Sequence, residues 1–459
     1  MKKKMLALLL AATCAVSALS FTGCGKQEKE TIINKDGEKV EVVEITVCDL
    51  VMSATGQNRW MAMRQKEFEK QHPEIKVNHI STISGDTTNM VEYLTTIFMG
   101  DSAPVYYDVS SVSYIRDLYN SDLAADIKPY LTDESSFYKA YDYVQEAVQY
   151  GDAIISYPGS LEVPLLGFYN EALKEAGYNP EAFTCETWDD YYEVAKKLTK
   201  KGVSGASLYV YEYYLWPSNW FLSNGVEPAI QNEDGTITLD FTNEKFLETL
   251  NYFKKLYDAG YTNSNITYTQ IADMLTLIQT EKVSSFTFYP TWMSQFQAVG
   301  IEPEAITVVP FPKGPSYKEG DASSSVILAG AVFNASKSPK ELQAAVTYYE
   351  YMNGEEAKKD LQKFLAENKI ESFSLSPYPS VDWTASLESS NIPTTWIEST
   401  EIALKEAYIT PLRSTAFTSY LTVQLGNIIQ GKVDMKNALK DAQKMAEDEW
   451  LNGFNKYLK

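Results

Sequence analysis

The chain is poor in the side chains that most enzymes and metalloproteins need. Its 459 residues include two histidines, His72 and His79. A Ser–His or Cys–His nucleophilic system would have to use one of them, and neither lies in a catalytic motif. Zinc-ligand spacing is absent, and so is a glycine-rich phosphate loop, so no metal or other cofactor is expected. Cationic side chains are scarce: 40 Lys and Arg stand against 61 Asp and Glu, for a net charge of -21. Nucleic acid is excluded as a partner on that balance, because phosphate neutralisation needs a basic face. Past the N-terminus no apolar run is long enough to span a bilayer, and no internal repeat stands out. The abundant carboxylates leave a glycosidase pair open, although chance pairs are common among so many acids.

The length suits two domains with substantial cores. Aromatics reach 13%, including 32 Tyr and 8 Trp, enough for large cores or for a stacking surface. At the N-terminus, Lys2 to Lys4 precede an apolar stretch from Met5 to Phe21. This reads as a secretion signal, too short for a spanning helix. It ends in Phe21-Thr22-Gly23-Cys24, which resembles a bacterial lipobox. That resemblance implies cleavage before Cys24 and lipidation of its sulfur and new amine. Residues 1–23 are then signal peptide, and the polar stretch 24–39 a flexible tether. With Cys14 removed and Cys24 lipidated, Cys48 and Cys185 remain. One falls in a strand of the first lobe and the other in a loop of the second, so they read as buried, unpaired thiols.

In EVVEITVCDL (41–50), Val43, Ile45 and Val47 alternate onto one face, as in a strand. A helix over Arg59–Lys70, a strand over 75–80, a helix over 88–99 and a strand over 105–109 follow. This βαβαβ order predicts a parallel sheet whose ligand-binding loops lie at the carboxyl ends of its strands: 51–58, 81–86 and 108–113.

The organising stretch is Tyr157–Leu198. Pro158, Gly159 and Pro164 break an apolar run, as where a chain leaves one sheet for another. A short helix from Asn170 ends at Gly177, and Thr187 with Asp190 opens a second helix as a capping box. A strand, then YN, a helix ending in AG and a TW-D helix ending in AKKL together resemble the lobe crossover of bacterial extracellular solute-binding proteins of family 1. These are the sugar-binding lipoproteins of ABC importers, similar to maltose-binding protein. NRWMAMRQKEFEKQHPEIKV, GDSAPVYYDVS, FPKGP and IIQGKVDMKNALKDAQ match the same family in the same order.

The resemblance implies a two-lobed, type II periplasmic-binding-protein-like α/β fold. Each lobe is a mainly parallel sheet flanked by helices, with a hinge between the lobes. Residues 40–160 and 326–385 would form lobe 1, and 161–325 and 386–459 lobe 2. It further implies a monomeric non-enzyme on the outer face of the cell membrane, held by its lipid anchor. It would bind a mono- or oligosaccharide and deliver it to the transmembrane permease.

A sugar site needs flat aromatic faces and hydroxyl-binding carboxylates or amides. Glu162, in YPGSLEVP, stands where the relative has a sugar-contacting glutamate. Tyr213 and Trp216, in YEYYLWP, match a stacking tyrosine and its following Trp-Pro, with Glu212 beside them. Tyr289 and Trp292 lie near a stacking tryptophan position that Thr291 occupies here. In lobe 1 the candidates are Asn58, Arg59, Trp60, Asp108 and Ser111; near the C-terminus they are Arg413 and Tyr420. The departures from the relative make maltose itself a doubtful ligand. A peptide or polyamine ligand, a glycosidase and a surface adhesin stay open on the residues alone.

Overall fold

Strand structure begins ahead of the first predicted strand, in a separate hairpin. A computed structural model describes residues 30–458, apart from 34–36, 50–54, 82–89, 101, 211–212, 214–215, 233, 269–270, 371, 374, 388–391 and 411–414. Cys24, Glu212 and Arg413 therefore lie outside the described residues. Strand β1 (Thr31–Ile33) pairs antiparallel with β2 (Lys39–Glu41). The flexible-tether expectation fails over this part of 24–39. β-Branched residues flank an Asp-Gly turn signal, and Gly37 takes the left-handed φ of 82° that such turns demand. Lys76 pairs with Glu30 at 2.5 Å and ties the hairpin to the body.

β3 (Val43–Asp49) then pairs parallel with β4 (Ile75–Ser81) and with β5 (Tyr106–Val109). Helices Thr55–Gln71 and Met90–Phe98 form the crossovers. The chain leaves this lobe along β6 (Tyr157–Glu162) and enters the other directly, at β7 (Leu165–Tyr169). β8 (Ser285–Phe288) and β9 (Ile306–Val309) flank β7. β10 (Ser324–Ser325) leads back into lobe 1 at β11 (Ile327–Phe333), and β12 (Ala407–Tyr408) pairs parallel with β10 at the hinge. The lobe 1 sheet runs β4-β3-β5-β11-β6 and the lobe 2 sheet β8-β7-β9.

The two-lobed α/β expectation holds, but the strand sense needs correcting. β11 is antiparallel to both its neighbours, and both pairs in the lobe 2 sheet are antiparallel. The reason is topological. β7 and β11 enter their lobes from the hinge and run away from it. Their neighbours run toward it. The carboxyl ends of β3, β4, β5 and β6 therefore point at lobe 2, and those of β8 and β9 point at lobe 1.

Pro158 and Gly159 do not break β6; the strand runs through them. Pro158 sits where the β6–β11 register shifts, between Ala329 and Gly330, so its missing N–H costs the ladder little. Gly159 permits a close approach: a Cβ there would meet the Tyr349 hydroxyl at 2.9 Å.

The capping boxes form as read. Thr187 and Asp190 open helix Trp188–Leu198, and Ser338 and Glu341 open helix Pro339–Asn353 behind Pro339. In lobe 1 the helices Thr55–Gln71, Pro339–Asn353 and Glu355–Asn368 pack together on one side of the sheet. On the other side, Tyr107 reaches Tyr93 of helix Met90–Phe98. In lobe 2, Phe286, Phe288, Ile306 and Val308 share one core with lobe 1, while Leu166, Phe168 and Val309 face a second core. A third passage stitches the lobes. Leu161 N–H donates to Leu375 at 3.0 Å, Phe373 packs on Trp396, and the Trp396 indole donates to the Ile306 carbonyl at 2.9 Å. Cys48 and Cys185 are free and buried, as expected. Among the described residues no helix is long and apolar enough to cross a membrane.

Candidate ligand-binding site

Where strand ends converge, the loops beyond them can reach a shared ligand. Lobe 1 brings charge to that place. Asp49 ends β3 and is 8% exposed. One of its oxygens accepts from the Tyr106 hydroxyl at 2.5 Å, and the other lies 2.5 Å from His79 Nδ1. His79 Nε2 meets the Tyr348 hydroxyl at 3.2 Å. Asp108, on β5, is hydrogen-bonded by Tyr349. Opposite them, on helix Glu355–Asn368, Lys358 is 8% exposed and donates to Asn353 Oδ1 at 3.1 Å. Burial pushes its ammonium down to about 8, against the pull of Asp108. Asp49, Asp108, Lys358, Asn353, Ser160 and Trp60 line a recess of about 70 Å³. A second recess of about 210 Å³ adjoins it, sharing Asp49 and Tyr348 and adding Asn58 and His79.

Lobe 2 brings rings. At the carboxyl end of β8, Tyr289 and Trp292 lie with centroids 4.7 Å apart, and Trp216 lies 5.9 Å from Trp292. Tyr209 meets Trp216 edge-on at 5.4 Å. Tyr289 and Trp216 are 0% and 3% exposed, whereas Trp292 is half-buried. Trp292 is thus the ring of this cluster that can offer a face. Among the described residues the Trp216 indole N–H and the Thr291 hydroxyl are buried without a hydrogen-bond partner. Glu162 closes β6 opposite Ile327, half-buried at the passage between lobes. Nearby, Ser113 donates to the Thr410 carbonyl at 2.8 Å, which holds the end of β5 to the hinge.

The remaining sequence candidates have other duties. Tyr213 is 1% exposed and packs on Phe221 in the second core of lobe 2, so it supports the lobe instead of offering a ring. Ser111 caps a short helical turn by accepting from Ser113 N–H at 3.4 Å. Arg59 is exposed, with its guanidinium over Phe364 at 5.7 Å. Trp60 touches the recess, but its indole is spent on Asp360 at 3.0 Å, locking two helices together. The Tyr420 hydroxyl donates to Glu449, in the C-terminal region. Lys358 and Asn353 escaped the sequence reading because they lie some 250 residues from β5, on an ordinary amphipathic helix pair. Asp49 ends the strand expected over 41–50 but was not among the sequence candidates.

A larger groove, about 1090 Å³, is lined by both lobes. Tyr143–Gly151 of lobe 1 and Leu222–Gly235 of lobe 2 wall it, with Tyr408 and Ile409 at its floor. Its size alone does not make it the site, since the ends of β3, β5 and β8 bring their polar and aromatic groups elsewhere. Glu227 there has both oxygens shut from solvent with no hydrogen-bond partner among the described residues, and burial holds its carboxyl up at about 8.

Comparison with known proteins places this geometry. The chain resembles a cyclic alpha-maltosyl-1,6-maltose binding protein from Arthrobacter globiformis, with a TM-score of 0.69 at 17% identity over 90% of this chain and 100% of that one. It also resembles the GacH receptor of Streptomyces glaucescens, solved unliganded and with acarbose, with a TM-score of 0.67 at 17% identity over 89% and 98%. Among curated sequences, lipoprotein LipO of Bacillus subtilis is 26% identical over 189 residues, 38% of each chain. An uncharacterised ABC transporter extracellular-binding protein of Pyrococcus horikoshii is 23% identical over 209 residues, 45% of this chain and 46% of that one. The chain thus matches less than half the length of these curated relatives. The profile of the bacterial extracellular solute-binding protein family matches residues 53–359. The chain belongs to the bacterial extracellular solute-binding proteins.

Proposed function

We propose that this protein captures a carbohydrate, a mono- or oligosaccharide, between its lobes and delivers it to the membrane subunits of an ABC importer. One observation carries the reading: Asp49, Asp108 and Lys358 line one recess of lobe 1 at the carboxyl ends of its strands, while the half-buried Trp292 follows the carboxyl end of β8 in lobe 2. Carboxylates and an ammonium bind hydroxyls, and an indole face packs on the C–H face of a sugar ring. Structural relatives named for acarbose, cycloalternan and maltose binding support the same class of ligand. Glu162 reaches the site from the hinge. Lobe 1 comprises 40–160 and 326–385, and lobe 2 comprises 161–325 and 386–459. The lobes close on the ligand by bending at the crossings, and the closed form is what the permease reads. The protein acts as a monomer and carries out no chemistry on its ligand. It is held outside the cell by lipid on Cys24. Cys24→Ala should release it or leave its precursor uncleaved, as membrane fractionation would reveal; normal processing and retention would refute the anchor.

A thermal-shift screen tests the ligand class, because a solute that binds only the folded state stabilises it by about 2.7 kcal/mol at 100 times its Kd. Neutral sugars should raise the melting temperature. A rise with spermidine or short peptides, and none with sugars, would replace the carbohydrate reading with a cationic or peptide ligand.

A further inference from the structure

Lys358 presents an unusual balance. An ammonium has three donors. One goes to Asn353, and the other two meet no protein acceptor at hydrogen-bond distance among the described residues. Burying a charged donor in that state is costly unless something else fills it. The space beside it is small. A recess of about 70 Å³ holds a few water-sized groups, less than a whole sugar ring. Its acceptors are already aimed. Asp49 accepts from Tyr106 and has its other oxygen against His79, and Asp108 accepts from Tyr349.

We propose that this recess binds one hydroxyl-bearing edge of the terminal unit of a neutral saccharide, with Lys358 donating to the hydroxyls and Asp49 and Asp108 accepting from them. The assignment rests on the carbohydrate reading and adds a residue and a specificity to it. The charge balance selects the neutral class. Two carboxylates stand against one ammonium, so a uronate meets net repulsion, while an amine meets the ammonium. A hydroxyl both accepts and donates, and suits both. The adjoining recess of about 210 Å³, floored by Tyr348 and Met352, gives the body of that unit a place beside Asn58 and His79. Lys358 lies on helix Glu355–Asn368, away from the loops at the ends of β3 and β5, and so marks a wall of lobe 1 that strand-end reasoning does not reach.

Isothermal calorimetry on the full chain tests the proposal with glucose, galactose, mannose, xylose, maltotriose, cellotriose and glucuronate as probes. The wild type should bind at least one neutral sugar and not glucuronate. Lys358→Met should weaken that sugar by about 10- to 100-fold, the loss expected for one charged hydrogen bond. Its ligand-free melting temperature should stay level or rise, since a buried ammonium is removed. If Lys358→Met does not fold, Asp108→Asn, which keeps the shape, should weaken the same sugar. Unchanged affinity in a folded variant, or preferred binding of glucuronate, overturns the subsite alone. No binding by any probe overturns the carbohydrate reading and the subsite with it.

Discussion

The strand ends of the two lobes carry unlike groups. Lobe 1 presents charges with hydrogen-bonded neighbours: Asp49 accepts from Tyr106, Asp108 accepts from Tyr349, and Lys358 donates to Asn353. Lobe 2 presents rings, with Trp216 and Tyr289 buried behind a half-exposed Trp292. The difference separates two tasks. Held charges select which hydroxyls a ligand carries, since their own geometry is fixed before it arrives. A ring face tolerates many sugars and adds contact area.

Substitutions can break this contrast, and the largest effect should come from a ring that is not on the wall at all. Tyr213 is 1% exposed in the second core of lobe 2. Tyr213→Ala should cost about 3–5 kcal/mol of stability, as for other large buried aromatics. Urea denaturation measures it. A variant of normal stability that fails to bind would return Tyr213 to the site.

The second effect sharpens the contrast between held and unheld charge. Glu227 is buried with no hydrogen-bond partner among the described residues, and burial holds its carboxyl up at about 8. The unfolded chain releases that proton near pH 4.5, the ordinary value. Between those pH values the folded state binds more protons, so this group lowers stability as pH rises, by about 1.4 kcal/mol per pH unit. Glu227→Gln should leave stability at pH 4 unchanged and raise it at pH 8 by a few kcal/mol. Parallel urea curves for the two proteins at both pH values check this; equal slopes with pH would mean that the carboxyl ionises freely.

Smaller effects should appear in binding. Glu162→Gln should weaken the bound sugar by about 1.5–3 kcal/mol, one charge-assisted hydrogen bond, with little change in melting. Trp292→Ala should cost about 1 kcal/mol of affinity, through lost stacking. Calorimetry beside melting curves separates both from structural damage. A large drop in melting with normal affinity would move either residue into the scaffold.

Much of the fold was legible because its signals are local. The alternation at Val43, Ile45 and Val47, the Thr187–Asp190 and Ser338–Glu341 caps, and the turn at Gly177 each need only a few neighbouring residues. The hairpin at Thr31–Glu41 was also local, but its polar surroundings masked a short β-branched pattern. Strand sense in lobe 2 was not legible, since it depends on which end of the lobe the chain enters. Part of the candidate site was legible. Asp108 lies at the end of a strand whose carboxyl end was already suspect, and Trp292 was named from the family resemblance. Tyr213 misled because a sequence places a ring on an element without giving the side it faces. Lys358 could not be found at all, because only folding brings it to Asp108.

Solute should lie between the lobes, in reach of both sets of groups. The most direct measurement is a crystal structure of the full chain with the sugar that gives the largest thermal shift. The sugar should have one ring against Trp292 and a hydroxyl edge within hydrogen-bond distance of Lys358 and Asp108. Sugar density in the groove floored by Tyr408 and Ile409, with the recess occupied only by water, would contradict it.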